Sequence, residues 1–166
     1  RKAALEQVGS YPRRSVYLSL YDQYDHMRQT GQMQFTPPVQ VVYALRQALR
    51  EYQKEGGRRR YARYTLNWRV LRQGLMRLGF RFLLPEKEES HILTSVLEPA
   101  DPHYQFDRMH DLLKARGFTV YPGKIGSRTT FRLANMGDLH PADMKHFLTA
   151  LRSVLRQMKV RLPLIY

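Results

Sequence analysis

The chain has no cysteine among its 166 residues, which removes disulfides and thiolate metal sites from consideration and fits a reducing compartment. It has no apolar run near the roughly 20 residues that a membrane span requires, so a membrane partner is not expected. Arg1–Glu6 shows neither an apolar core nor a cleavage-site pattern, so no signal peptide is expected there; the opening lacks methionine and reads as mid-helix. The six histidines form no His-x3-His pair beside a carboxylate cluster, so no metal site is expected. No Gly-x-Ser-x-Gly elbow is present, and Lys124 followed by Gly126 and Ser127 lacks the Gly-Lys-Ser/Thr order of a phosphate-cradling loop. Hydrolases built on an activated nucleophile and P-loop nucleotide enzymes are thereby set aside.

Acidic residues are also scarce: 14 Asp and Glu stand against 28 Lys and Arg, a net charge of +14. Residues 46–81 alone hold 11 basic and two acidic residues. Arg58-Arg59-Arg60 beside Tyr61 and Tyr64 has the chemistry of a nucleic-acid groove, phosphate contacts with stacking. Periodicity supports a plainer alternative. Tyr61, Tyr64, Trp68, Leu71, Leu75 and Leu78 recur in steps of three and four, which places them on the buried stripe of one helix with the arginines mostly solvated on its other faces.

A hydrophobic fraction of 43% supports a packed core. The pattern predicts a short opening helix, a strand or helix entry at Ser15–Leu20, and a helix after Thr36 whose apolar positions are Val42, Leu45, Leu49 and Tyr52. Gly56-Gly57 ends it, and the long basic helix runs from about Arg58 to Leu78. Phe80–Leu83, Ile92–Leu97, Phe118–Tyr121 and Thr129–Ala134 read as strands. A helix around Phe106–Leu113 stops at Gly117, and Pro141 opens a last helix with the stripe Met144, Phe147, Leu148, Leu151, Leu155 and Met158. The resulting order, β-β-α-β-β-α after the long helix, predicts an α+β domain: a small, mostly antiparallel sheet with helices on one face. The tail Lys159–Tyr166 carries no clear pattern.

Three segments hold candidate chemistry. Thr36, with Pro37 at the expected first helical position, reads as an N-cap; the same geometry, unpaired N–H groups plus a hydroxyl, suits an anion. Arg132 is a cation inside an otherwise apolar or small strand. It either lies on a solvent face or presents its planar fork to a carboxylate or phosphonate. Tyr121-Pro122-Gly123-Lys124 reads as a turn.

Together with Leu18-Ser19-Leu20-Tyr21-Asp22-Gln23, Phe35-Thr36-Pro37, Glu55-Gly56-Gly57, Ala62-Arg63-Tyr64, Lys114-Ala115-Arg116-Gly117-Phe118 and Phe131-Arg132, these segments are similar, from about Arg1 to Met158, to the aminoethylphosphonate–pyruvate aminotransferases. Those are pyridoxal-phosphate (PLP) enzymes of class V and fold type I. The resemblance implies a cytoplasmic homodimer that passes the amino group of 2-aminoethylphosphonate to PLP and on to pyruvate, giving phosphonoacetaldehyde and alanine. It implies that Thr36 contacts the PLP phosphate, typically that of the partner subunit, and that Arg132 holds the acid group of the substrate. The Schiff-base lysine is expected upstream of residue 1, so no catalytic residue is assigned here and the chain is expected to be inactive alone. On this reading residues 1–57 are the C-terminal remnant of the large PLP-binding domain, 58–79 the connecting helix, 80–158 the small domain and 159–166 a tail. Leu133-Ala134-Asn135-Met136-Gly137 departs from the family's Ile-Gly-Asn-Ile-Gly, Ala134 adding a methyl beside the arginine. The alternatives are another class V aminotransferase, of alanine–glyoxylate or serine–pyruvate type, and a basic nucleic-acid-binding module.

Overall fold

A computed structural model describes every residue except Ile165. Two compact units divide at Glu51/Tyr52, within one helix. The first unit contains α1 (Lys2–Val8), α2 (Leu20–Thr30) and the greater part of α3 (Val39–Glu55). Ser19 caps α2, its hydroxyl accepting from the Asp22 N–H, so Ser15–Leu18 lead into a helix rather than forming a strand. None of these three helices buries a residue. Val42, Leu45, Leu49 and Tyr52 recur along α3 at helical spacing and are all exposed.

The second unit opens with the end of α3 and then α4 (Gly57–Leu78), β1 (Leu93–Leu97), α5 (Phe106–Lys114), β2 (Tyr121–Ile125), β3 (Arg128–Ala134) and α6 (Pro141–Gln157). The three strands form an antiparallel sheet in the order β1-β3-β2, so the strand carrying Arg132 is central. Strand side chains alternate between faces. Thr94, Val96, Phe131 and Leu133 point to one face and are buried; α4, α5 and α6 add Leu71, Leu75, Met109, Leu113, Leu151 and Leu155 to the same core. At burial worth about 25 cal/mol per Å² of apolar surface, this face is the principal source of stability.

Several expectations are corrected. Phe80–Leu83 is not a strand: Phe82 makes an isolated bridge to Val96, supported by backbone bonds from Leu83 N to Ser95 O and from Leu97 N to Arg81 O. Phe118–Val120 precede the ladder, which begins at Tyr121. Tyr121-Pro122-Gly123-Lys124 is therefore strand, not turn. Proline is tolerated because β2 is an edge strand with no second ladder to donate to. The reversal lies at Gly126-Ser127, a two-residue hairpin loop in which Gly126, at φ +60°, supplies the positive φ that such loops require. The tail is not patternless in its packing. Val160 and Leu164 are buried, Leu164 N donates to Leu78 O, and the Tyr166 hydroxyl donates to Leu97 O.

Candidate functional site

Arg132 stands on the face of the sheet opposite the core. It pairs directly with Tyr121 on β2 and Ser95 on β1, so these three side chains leave the same face. A groove of about 310 Å³ on that face is lined by Leu93, Thr119, Tyr121, Arg132 and Ala134. Among the described residues the guanidinium makes one hydrogen bond, from NH2 to the Pro122 carbonyl at 3.2 Å. Among the described residues no ion pair engages it. An exposed fork with most of its donors uncommitted is a ready acceptor of a planar or tetrahedral oxyanion.

The backbone that follows Arg132 is held by polar side chains that sequence pattern does not single out. Buried Asn135 donates from Nδ2 to the carbonyls of Tyr64 (3.1 Å) and His91 (3.0 Å). Buried Asn67 donates to Leu139 O at 2.7 Å. Arg63 donates from NH1 to Gly137 O and Leu139 O, both at 2.8 Å, while Nε and NH2 grip Glu55 at 2.7 and 3.1 Å. Arg60 adds a third bond to Glu55 at 2.6 Å. Hydrogen bonds from Arg63 and then Arg60 hold the Glu55 carboxyl down at about 2. The turn after β3 is thus fastened to the first turns of α4.

The basic helix is less solvated than expected. Arg60 and Arg63 serve Glu55, and Arg72 pairs with Glu86 (3.1 Å) and with Glu89 (3.3 Å). Glu89 also accepts from the Trp68 indole, whose ring stacks on His91 at 4.2 Å. Tyr61, expected on the buried stripe, is 63% exposed; the buried stripe begins with Asn67 and Trp68. Arg58, Arg59, Arg69 and Arg77 remain exposed.

Thr36 lies in the first unit, exposed, with its hydroxyl in no hydrogen bond within the chain among the described residues. It is not an N-cap. Helix α3 begins at Val39, because a residue before proline is pushed out of the helical region and both Thr36 and Pro37 precede one. Val39 N turns back to Pro37 O at 2.8 Å, so one N–H of the first turn is met by the backbone itself. The hydroxyl itself is left available to a phosphate oxygen, and in that respect the residue fits the cofactor implied by the family.

No family model matches the chain. In three dimensions it is similar to pyridoxamine-pyruvate aminotransferase from Mesorhizobium loti, with a TM-score of 0.82 and 22% identity, covering 98% of this chain and 42% of that one. The fold is that of the C-terminal portion of fold type I aminotransferases. By sequence the chain is 41% identical over 147 residues to the 2-aminoethylphosphonate–pyruvate transaminase of Pseudomonas fluorescens (strain Pf0-1), covering 88% of this chain and 40% of the relative. It is 43% identical over 155 residues to the enzyme of the same name from Aeromonas hydrophila subsp. hydrophila, covering 92% and 40%. The chain is thus homologous, along most of its length, to the C-terminal part of the 2-aminoethylphosphonate–pyruvate transaminases, and spans about 40% of the length of these curated relatives.

Proposed function

We propose that this chain forms part of a PLP-dependent transaminase that moves the amino group of 2-aminoethylphosphonate to pyruvate, acting in the cytoplasm as a homodimer. Arg132 binds the acid group of each substrate in turn, the phosphonate of the donor and the carboxylate of pyruvate. Thr36 donates its hydroxyl to the cofactor phosphate of the partner subunit. PLP, when bound, supplies the electron sink that neither a threonine nor an arginine can provide. The cofactor-bearing lysine belongs to the portion of the relatives that this chain does not span, so the chain alone carries no transaminase activity. Residues 1–57 belong to the large domain, 58–79 connect, and 80–158 form the small domain that brings Arg132 to the substrate.

One observation carries the reading: an arginine within a central strand, on the open face, with no carboxylate partner among the described residues, in a chain about 40% identical to enzymes whose substrates are both anions. The test is a chimera in which this chain replaces the matching portion of the Pseudomonas fluorescens enzyme, assayed for alanine formation from 2-aminoethylphosphonate and pyruvate. Arg132→Lys in that chimera is expected to lose about 2 kcal/mol of transition-state binding in both half-reactions, since a lysine cannot form two parallel bonds. Cofactor absorbance is expected to be retained. Intact half-reactions together with a lowered Tm would make Arg132 a structural residue and overturn the proposal. A chimera that turns over only carboxylate donors would point to another class V aminotransferase.

A further inference from the structure

We infer that Tyr121 is the specificity-determining residue of the Arg132 groove, the group that separates a phosphonate from a carboxylate; the inference rests on the assignment of Arg132 to the substrate acid group. Arg132 does not stand midway between its two flanking strands. Its NH2 donates to Pro122 O at 3.2 Å. Its Cγ and Nε both lie 3.6 Å from the point where a Cβ would stand on Gly123. The side chain therefore lies over β2 at Pro122 and Gly123, next to Tyr121 on that strand. Tyr121 is its direct cross-strand partner, projects from the same face, lines the same groove and is exposed.

A carboxylate has two oxygens in one plane, and a guanidinium fork satisfies both with parallel hydrogen bonds. A phosphonate has three oxygens arranged tetrahedrally. When the fork takes two, the third points out of its plane and needs another donor. The phenol of Tyr121, on the cross-strand partner and lining the same groove, is such a donor. Leu93 and Ala134 offer the groove only apolar groups. Thr119 also carries a hydroxyl but precedes the paired part of β2. A carboxylate makes no use of the third donor, so the same groove accepts pyruvate through the fork alone.

The test titrates the 166-residue chain with methylphosphonate and, separately, with acetate, followed by NMR. Tyr121→Phe is expected to weaken methylphosphonate about tenfold, the worth of one hydrogen bond to a charged group, and to change acetate by less than about twofold. Because Tyr121 is exposed, losing its hydroxyl leaves the fold intact, which thermal unfolding of the variant checks. Tyr43→Phe, which removes an exposed phenol from α3 outside the groove, is expected to leave both affinities unchanged. Arg132→Gln is expected to weaken both probes; if it weakens neither, the assignment of Arg132 itself fails. If Arg132→Gln weakens both while Tyr121→Phe leaves the ratio of the two affinities unchanged, Arg132 stands and Tyr121 is not the discriminating group. A wild-type chain that binds methylphosphonate no more tightly than acetate also overturns the inference.

Discussion

Replacing Asn135 tests how firmly the end of β3 is fastened. The side chain is fully buried and its amide nitrogen serves two carbonyls, Tyr64 O at 3.1 Å and His91 O at 3.0 Å. Asn135→Ala removes two hydrogen bonds worth about 1 kcal/mol each and strands the His91 carbonyl, at a further cost of about 1 kcal/mol. The sum, about 3 kcal/mol, is a large share of the roughly 5–15 kcal/mol that holds an ordinary domain together. Asn135→Asp is worse at neutral pH, because it aims an anionic oxygen at two carbonyl oxygens; the loss is about 4 kcal/mol or more. Its sign with pH follows from linkage. The folded state raises the pKa of the new carboxyl, so stability is highest below the unfolded value and falls as pH rises through the folded one. Urea unfolding followed by Trp68, the one tryptophan and 4% exposed, reads this unit directly. A cost below about 1 kcal/mol for Asn135→Ala, or an aspartate no worse than alanine at neutral pH, would refute the reasoning.

Two further predictions concern the ion pairs and the first unit. Glu55 titrates at about 2 in the folded chain against 4.5 ordinarily, so its contribution is complete above the ordinary value and is lost as pH falls toward 2. Melting temperature against pH should fall more steeply over that window in the wild type than in Glu55→Gln; parallel curves would show that the pair with Arg63 and Arg60 contributes nothing. Amides of α3, a helix that buries no residue, should exchange faster than those of α6, which buries Met144, Phe147, Leu151, Val154 and Leu155. Equal protection of the two helices in a monomer would contradict this.

What the sequence made legible follows the range of the forces involved. Helix α6 is readable because Pro141 and an apolar period of three and four are local signals. The observed helix Pro141–Gln157 buries Met144, Phe147, Leu151 and Leu155 of that stripe, with Leu148 half-buried and Met158 buried just past its end. The sheet was readable as a class, antiparallel with helices on one face, but not in its register. Pro122-Gly123 has the chemistry of a turn, and only the pairing of Tyr121 with Arg132 and Ile125 with Arg128 moves the reversal to Gly126-Ser127. Thr36 illustrates the opposite failure. The capping pattern was local and still misleading, because two successive prolines delay the helix to Val39.

Two of the arginines of the second unit, Arg63 and Arg132, separate what sequence can say about a site from what it cannot. Both occur in short runs shared with the same family, and both carry five donors that must be satisfied. Arg63 commits four hydrogen bonds, two to Glu55 and two to carbonyls of Gly137 and Leu139, which lie more than 70 residues away along the chain. Its charge is met and its side chain largely covered, so one N–H at most is left for a ligand. Among the described residues Arg132 commits one bond, to a carbonyl ten residues away, and meets no carboxylate. An arginine whose partners come from distant segments is indistinguishable, in one dimension, from an arginine with none. Only the folded chain shows that the first braces the turn at the end of β3 and that the second, on the strand so braced, meets no carboxylate among the described residues.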